Sequence, residues 1–227
     1  MNQISLTRIQ AIFMKDYREF SRNYAISIMV LMPIVMAILF KNMETDSTMI
    51  MLLITSLTLG LVTTFIQACF IAEEKEYNTL RNLLLSPASL MDILLGKSLL
   101  VVVISAVSLG VSYYIVSFVP TISFVIALVL CLFFYSALGT IAGLFADSTM
   151  EATFTIIPFV IIFPFSSDLQ LLESKFSLFN YAKWLPSSQL AEIAQGNDVG
   201  IGFVIILLWL IVSWVVAIIL CRKRMVD

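Results

Sequence analysis

Long apolar runs alternate with short polar segments along nearly the whole chain, and this pattern predicts an all-α membrane protein. A run of about 20 apolar residues is long enough to cross the hydrocarbon core of a bilayer as a helix. Six transmembrane helices are predicted, at residues 24–40, 48–72, 93–119, 122–146, 152–166 and 201–221. Pro158 and Pro164 interrupt the fifth and shortest run, so we expect a broken helix there.

The longest polar interruption separates the second run from the third and comprises residues 73–87. Leu80, Leu83 and Leu84 recur there at i, i+3 and i+4, which is the spacing of one helix face. Pro87 disfavours the helical conformation at Ser86, so the helix should end at that point. Two interpretations remain open: an ordinary helical loop where membrane meets water, or a helix that docks a soluble partner.

Two further segments are too polar or too broken to span a bilayer. In residues 1–22, apolar positions at helical spacing alternate with basic residues, which is typical of a helix lying on the membrane surface. A frayed tail is the alternative. Residues 167–198 are predicted to form short re-entrant or interfacial helices on the outer face, with Tyr181 and Trp184 at headgroup level.

The distribution of basic residues predicts the orientation, because cytoplasmic segments carry an excess of Lys and Arg. With both termini cytoplasmic, only Lys41, Lys175 and Lys183 of the 13 Lys and Arg residues fall on outer segments. We therefore expect a multi-pass protein of the cell membrane, with residues 73–87 on the cytoplasmic side.

Composition excludes several classes of protein. Hydrophobic residues make up 60% of the chain and charged residues 12%. A soluble domain does not need so large a share of hydrophobic residues. No basic patch is present, so a nucleic-acid partner is not expected. The chain contains no His, and Cys69, Cys131 and Cys221 lack the spacing of metal ligands. We expect inert thiols and no metal site.

No catalytic set is recognisable, so we do not expect an enzyme or a cofactor in this chain. Gly96-Lys97-Ser98 is similar to the end of a phosphate loop, but Met91 stands where that motif needs glycine. Lys97 is expected instead to extend to the interface and anchor its helix there. No clearly intramembrane carboxylate of the kind used in proton relays appears. A transporter of this composition would need another subunit as its source of energy.

Small and polar residues within the runs predict helix packing. Gln67 is the costliest polar side chain of the second run and is expected to face another helix, whereas the hydroxyls can bond carbonyls of their own helix. Gly139-x-x-x-Gly143 allows close approach of helix backbones, either inside one subunit or at a subunit interface. Ser89 and Asp92 have the spacing of a helix N-cap.

The polar interruption resembles the first cytoplasmic loop of the ABC-2 type permeases, the membrane subunits of a class of ATP-binding-cassette exporters. The resemblance rests on Glu74-x-Glu76-x-x-Thr79-Leu80-x-x-Leu83-Leu84-x-x-Pro87, followed by Gly96-Lys97. Asn78 stands where family members often have glycine, and asparagine also tolerates unusual backbone angles. Trp184-Leu185-Pro186, after a broken fifth run, is similar to the re-entrant outer hairpin of these permeases.

The resemblance implies that residues 73–87 form the coupling helix that seats in a separate ATPase subunit, which would bind ATP and Mg. It assigns the contact to Glu74, Glu76, Asn78, Thr79, Leu80, Arg81, Leu83, Leu84 and Pro87. It also implies a second permease, identical or related, beside this chain in the bilayer. The short chain suits hydrophobic or amphipathic cargo: a peptide, a drug or a lipid, of which we favour a peptide.

The translocation path is expected to follow polar or aromatic residues of the second and fifth spans. The residues selected are Thr55, Thr63, Gln67, Phe159 and Phe163. Two other classes of protein remain as alternatives: an ion-coupled carrier or channel, and a membrane protein of the immunity or sensor type that transports nothing. The first should show an intramembrane charge or a repeated half, and the second should lack the docking helix and the broken fifth helix.

Overall fold

The computed structural model describes residues 5–42, 47–77, 79, 89–166 and 177–224, and it gives the backbone alone for residues 25, 177–180 and 224. Helices account for nearly all of this part of the chain, and no strand occurs in it. The protein is therefore an all-α membrane protein, as the apolar pattern predicts.

The helices follow one another with short connections. They are α1 (Leu6–Arg22), α2 (Tyr24–Ser27), a 3₁₀ turn (Ile28–Val30), α3 (Leu31–Phe40), α4 (Ser47–Leu57), a π-helical segment (Thr58–Thr64), α5 (Phe65–Glu76), α6 (Leu90–Val116), α7 (Ile122–Phe145), α8 (Thr149–Thr155), α9 (Ile157–Ile162), a second 3₁₀ segment (Ser177–Trp184), α10 (Pro186–Gln195) and α11 (Val199–Arg224).

Among the described residues, four helices are long and apolar enough to cross a membrane: Ser47–Glu76, Leu90–Val116, Ile122–Phe145 and Val199–Lys223. The first apolar run is shorter, and a 3₁₀ turn divides it where Pro33 offers no N–H to the carbonyl of Met29. The fifth run is divided at Ile156 into α8 and α9.

Helix α7 is the central element of the bundle. Of the 18 residues in its most apolar stretch, 72% are buried. The corresponding share for α11 is 22%, so α11 presents most of its surface to the surroundings. A Cβ added at Gly139 would overlap the carbonyl oxygen of Thr64, and one at Gly143 would lie 2.6 Å from the carbonyl oxygen of Ala68. The two glycines therefore seat α7 on α5 within the chain, which is the first of the two roles considered for this motif.

The start of α6 is capped where the sequence predicts an N-cap. The Ser89 hydroxyl accepts a hydrogen bond from the Asp92 N–H at 3.1 Å, and the Ser89 N–H donates to Asp92 Oδ2 at 3.0 Å. This reciprocal capping box begins α6 and confirms the N-cap prediction. Ser117 ends α6 in the left-handed conformation, and Thr121 caps the start of α7.

The π-helical segment marks an irregularity in the second apolar run. The hydroxyls of Thr63 and Thr64 donate to carbonyls five residues earlier, at 3.2 and 2.7 Å. A Cβ added at Gly60 would lie 3.0 Å from Val160 Cγ1, so the fifth, broken run packs closely on this segment. Such π-helical insertions are frequent at functional sites.

Helix α1 lies across the start of α6. A Cβ added at Gly96 would meet Ile12 at 2.9 Å and the carbonyl oxygen of Ile9 at 3.2 Å, so only glycine permits this approach. The contact places α1 at the end of the bundle where α5 ends and α6 begins.

Candidate functional site

A buried cluster of four charged side chains joins three helices at this end of the bundle. The ammonium of Lys97 lies 3.2 Å from Asp16 Oδ2 and 2.9 Å from Glu74 Oε1. The ammonium of Lys15 lies 2.6 Å from the same oxygen of Glu74. Asp16 and Lys15 belong to α1, Glu74 to the last turn of α5, and Lys97 to the second turn of α6. We refer to Lys15, Asp16, Glu74 and Lys97 as the charged cluster.

The charged cluster is electrically balanced and almost closed to solvent. The side chains of Lys97, Asp16 and Glu74 are 1%, 2% and 5% exposed. The Lys15 side chain, which is 39% exposed, lies on the outer side of the cluster. Two ammonium groups face two carboxylates, so no net charge is buried. Removing one partner of a buried ion pair leaves the other uncompensated, which is far more costly than the pair itself.

Burial and pairing shift the pKa of the two α1 residues in the same direction. Burial raises the pKa of Asp16, and the attraction of Lys97 offsets this only in part. Burial lowers the pKa of Lys15, but its hydrogen bond to Glu74 and the surrounding carboxylates outweigh it and raise the pKa to about 12. Lys15 therefore stays charged throughout the physiological range.

The position of Lys97 corrects the expectation that its side chain extends to the interface. It turns inward and pairs with Asp16 and Glu74, because the backbone of α1 covers the neighbouring Gly96 and closes the route to solvent. An ammonium inside a bundle needs a carboxylate partner, and here it has two. Lys97 therefore links helices.

A second polar contact fastens the beginning of α1 to the beginning of α6. Asp92 accepts a hydrogen bond from the Ser5 N–H at 2.9 Å, and its other oxygen lies 3.1 Å from Arg8 Nε. The Asp92 side chain is fully buried. The capping residue of α6 thus also holds the N-terminal end of α1.

The last turn of α5 is also fastened on its other side, to the connection between α7 and α8. The ammonium of Lys75 lies 2.5 Å from Asp147 Oδ1 and 2.7 Å from the carbonyl oxygen of Ala146. Glu76 accepts hydrogen bonds from the N–H and the hydroxyl of Thr149, at 2.9 and 3.0 Å. We call these contacts of Lys75 and Glu76 the loop clamp.

The segment predicted to couple to an ATPase begins between these two sets of contacts. Glu74 is buried in the charged cluster, Glu76 belongs to the loop clamp, and the exposed Thr79 donates a hydrogen bond to the carbonyl of Glu74 at 3.1 Å. The other residues of the predicted coupling set lie outside the described part of the chain: Asn78, Leu80, Arg81, Leu83, Leu84 and Pro87.

The charged cluster does not fit a metal ion. Carboxylate oxygens of Asp16, Glu19 and Glu74 lie within 4.8 Å of one another, which is close enough for shared ligation. The ammonium of Lys15 approaches all three residues, at 3.7, 3.4 and 2.6 Å, and Lys97 adds a second positive charge. Two lysines thus supply the countercharge that a metal would bring.

The polar residues selected for a translocation path bond to neighbouring helices. The hydroxyl of Thr55 lies 2.6 Å from that of Tyr113, and Thr63 Oγ1 lies 2.9 Å from Ser105 Oγ. Gln67 donates from Nε2 to Thr140 Oγ1 at 2.9 Å, which confirms that it faces another helix. All three side chains are buried, so in this conformation they join α4, the π-helical segment and α5 to α6 and α7.

The two aromatic residues of the predicted path lie at the broken helix. Phe159 and Phe163 stack with ring centroids 6.4 Å apart, and Phe163 also contacts Phe134 and Trp209 edge to face or tilted. Both are partly buried. They form an aromatic contact between α9, α7 and α11, next to the π-helical segment.

Sequence reasoning did not select Lys15, Asp16 or Lys97 as a functional group, although the sequence contains a signal. Asp16 stands between Ile12 and Phe20 at i, i+4 and i+8, so it occupies the apolar stripe of α1. Lys97 lies inside a predicted span. An acid in the apolar stripe of one helix and a lysine in the span of another predict a pair, once the two helices are known to touch.

The family model described as ABC-2 type transporter matches residues 7–185, which is more than half of the chain. The matched range includes every residue of the charged cluster and of the loop clamp. A search of curated proteins gave no match.

Proposed function

The chain belongs to the ABC-2 type transporter family, and on that premise we propose that it is the permease subunit of an ATP-driven exporter. Members of this family are membrane transport components that normally work with an ATP-binding-cassette ATPase. We propose that the ATPase is a separate chain, that it binds ATP and Mg, and that it contacts this permease through the segment around Thr79.

The observation that carries this proposal is the way in which that segment is mounted. The chain enters it from a helix turn held by the charged cluster and the loop clamp, and leaves it through the capping box of α6. A segment whose flanking residues are held by four helices can transmit a displacement to them, whereas a loosely attached loop absorbs one. This mounting favours the docking interpretation over an ordinary surface loop.

The proposed mechanism is a population shift. We refer to the predicted coupling helix, residues 73–87, as the docking segment. Closure of the ATPase on ATP displaces the docking segment, and the charged cluster carries that displacement to α1, α5 and α6 together. ATP shifts the equilibrium only if the closed ATPase binds the segment differently from the open one. The interhelical bonds of Thr55, Thr63 and Gln67 are the contacts that we propose to exchange as a path opens beside Phe159 and Phe163.

The proposed cargo is hydrophobic or amphipathic, and a peptide is favoured over a drug or a lipid. We propose that two permeases, identical or related, enclose the path in the cell membrane, with both termini and the charged cluster on the cytoplasmic side. The clustering of Arg8, Lys15, Lys75 and Lys97 at one end of the bundle supports this orientation.

The first experiment is co-purification of the full chain. The tagged chain is extracted from its native membrane in mild detergent, with ATP trapped, and its companions are identified and quantified by mass spectrometry. An ATP-binding-cassette subunit in near-equal amount is expected. A chain that arrives alone after cross-linking would favour the carrier, channel or immunity alternatives.

A substitution in the docking segment tests coupling directly. Thr79→Arg places a long cation on an exposed residue next to the turn that carries Glu74. We expect normal expression and ATP hydrolysis, with export reduced at least about tenfold, as loss of a contact worth ~1.4 kcal/mol would give. The matched control is Gln195→Arg, which places the same cation on an exposed residue at the end of α10. Normal export by Thr79→Arg would contradict the proposal.

A further inference from the structure

An apolar groove runs along the contact between α1 and α6, beside the charged cluster. It has a volume of about 430 Å³ and is open along one side. Its walls present apolar and aromatic side chains, chiefly Phe13, Met14 and Tyr17 of α1 and Leu100, Val103 and Val107 of α6. Volumes of this size are typical of small-molecule binding sites.

Several apolar side chains in the walls of the groove are exposed. Val107 is 62% exposed, Tyr17 50%, and Met14 and Val103 each 43%. Because α6 is long and apolar enough to cross the membrane, its part of the groove faces lipid. From Leu100 to Val107 the wall extends about 10 Å along the helix, starting at α1 and running toward the bilayer centre.

Two arginines of α1 follow the groove-lining residues of that helix in sequence. Arg18 follows Tyr17 and lies one turn after Met14, so its exposed side chain starts from the helix face that lines the groove. Arg22 is exposed one turn further along. Of the acids of α1, Asp16 is buried in the charged cluster and Glu19 lies 3.4 Å from the ammonium of Lys15, so neither forms an ion pair with Arg18 in the described part of the chain.

We propose that this groove binds one anionic phospholipid, with an acyl chain between α1 and α6 and the phosphate against Arg18. The apolar lining of the groove suits a hydrocarbon chain, and an arginine beside it on α1 suits an anionic headgroup at the interface. Such a lipid would lie one turn from the contact between Ile12 and Gly96, and would make the seating of α1 sensitive to membrane composition.

The test measures lipid binding to the purified full chain in mild detergent by native mass spectrometry. Phosphatidylglycerol and phosphatidylcholine are titrated separately, and the dissociation constant of the first bound lipid is determined for each. Val103→Trp fills the groove, and Val111→Trp is its control, since Val111 is 42% exposed on the same helix but does not line the groove. Arg18→Gln removes the headgroup contact, and Arg222→Gln is its exposed control on α11.

We expect tighter binding of phosphatidylglycerol than of phosphatidylcholine. Arg18→Gln should weaken phosphatidylglycerol binding about fivefold, as expected for one basic residue near a lipid surface. It should weaken phosphatidylcholine binding less, because the choline cation offsets the charge of the phosphate. Val103→Trp should abolish the tight site for both lipids. If Val103→Trp does not fold, Val107→Trp fills the same groove from a more exposed position.

Equal lipid binding by the Val103→Trp and Val111→Trp variants would overturn the groove as the binding site. Equal binding of the two lipids, or equal losses in Arg18→Gln and Arg222→Gln, would overturn the assignment of the headgroup. These outcomes concern lipid alone and leave the proposed export function to its own test.

Discussion

Charge balance governs the behaviour of individual residues at the end of the bundle where α1 crosses α6. Each member of the charged cluster lies within 3.2 Å of an opposite charge, and the shortest contact joins Lys15 to Glu74 at 2.6 Å. Since water is largely excluded, no solvent replaces a partner that is lost. Substitutions here are therefore expected to act through the charge that they leave behind.

Lys97→Met is expected to destabilise the protein strongly. It leaves Asp16 and Glu74 buried with Lys15 as their only lysine, and removal of one partner from a buried pair costs about 3–5 kcal/mol. For a chain of this size the midpoint of thermal unfolding in detergent should fall by at least about 6 °C. The control Lys223→Met changes an exposed lysine of α11 and should leave the midpoint nearly unchanged.

The double variant Lys97→Met with Asp16→Asn distinguishes pairing from simple loss of packing. Because each single change leaves the partner's charge uncompensated, the double change should cost less than the sum of the two. If the stability losses of the two single variants add fully in the double variant, the ion pair is not the source of the destabilisation.

The raised pKa of Asp16 predicts how acid affects stability. The folded state holds this proton more tightly than the unfolded state, whose pKa is near the ordinary 3.8. Protonation therefore adds stability as pH falls from above the folded-state pKa toward 3.8. The unfolding midpoint of the natural chain, relative to Asp16→Asn, should therefore rise as the pH falls toward 3.8. A difference that stays constant or shrinks in acid would refute this.

At the scale of elements, α7 depends on two glycines for its seat on the second long helix. The face that carries Gly139 and Gly143 meets the carbonyls of Thr64 and Ala68, and Gln67 beside them bonds across to Thr140. Close backbone approach and one interhelical hydrogen bond thus occur on the same face. Small residues at such contacts allow close packing in membranes, where burial of apolar surface contributes little.

Gly139→Ala is expected to separate α7 from α5. Its Cβ would overlap the backbone of Thr64, which cannot move without distorting the π-helical segment. Overpacking of this kind costs about 1–3 kcal/mol, which lowers the midpoint of thermal unfolding by several degrees. Gly110→Ala on α6 meets nothing within 4 Å and serves as the control. A midpoint equal to that of the control would show that α7 adjusts without strain.

At the scale of the whole molecule, one end of the bundle is organised by polar contacts and the remainder by apolar packing. The charged cluster joins α1, α5 and α6, and the loop clamp extends this connection to the start of α8. These contacts therefore connect elements that are far apart in the chain, at the place where we propose that the ATPase docks. Loss of a partly exposed connection, unlike loss of a buried one, should affect the proposed coupling more than folding.

Lys75→Met tests this view of the whole assembly. It removes a partly exposed ammonium that contacts Asp147 and two carbonyls at the end of α7. We expect a stability loss of about 1–3 kcal/mol, unchanged co-purification of the ATPase, and reduced export for each ATP hydrolysed. Lys183→Met, on the 3₁₀ segment before α10, is the control. Export that matches the control would show that the loop clamp does not take part in coupling.

Much of this architecture could be predicted because its causes are local. Runs of apolar residues long enough to span a bilayer, the capping spacing of Ser89 and Asp92, and the small residues Gly139 and Gly143 act through neighbours in sequence or through general packing rules. The resemblance carried by residues 74–97 predicted the family, which the match over residues 7–185 shows.

The partners of Lys97 could not be predicted, because Asp16 and Lys97 lie 81 positions apart and meet only where α1 crosses α6. The same holds for Thr63 and Ser105, which are 42 positions apart. The sequence by itself determined an all-α membrane protein of the ABC-2 type, since hydrophobicity and motif spacing are properties of the chain. The tertiary structure alone decided which charges are buried together, because the choice of partner depends on how the helices cross.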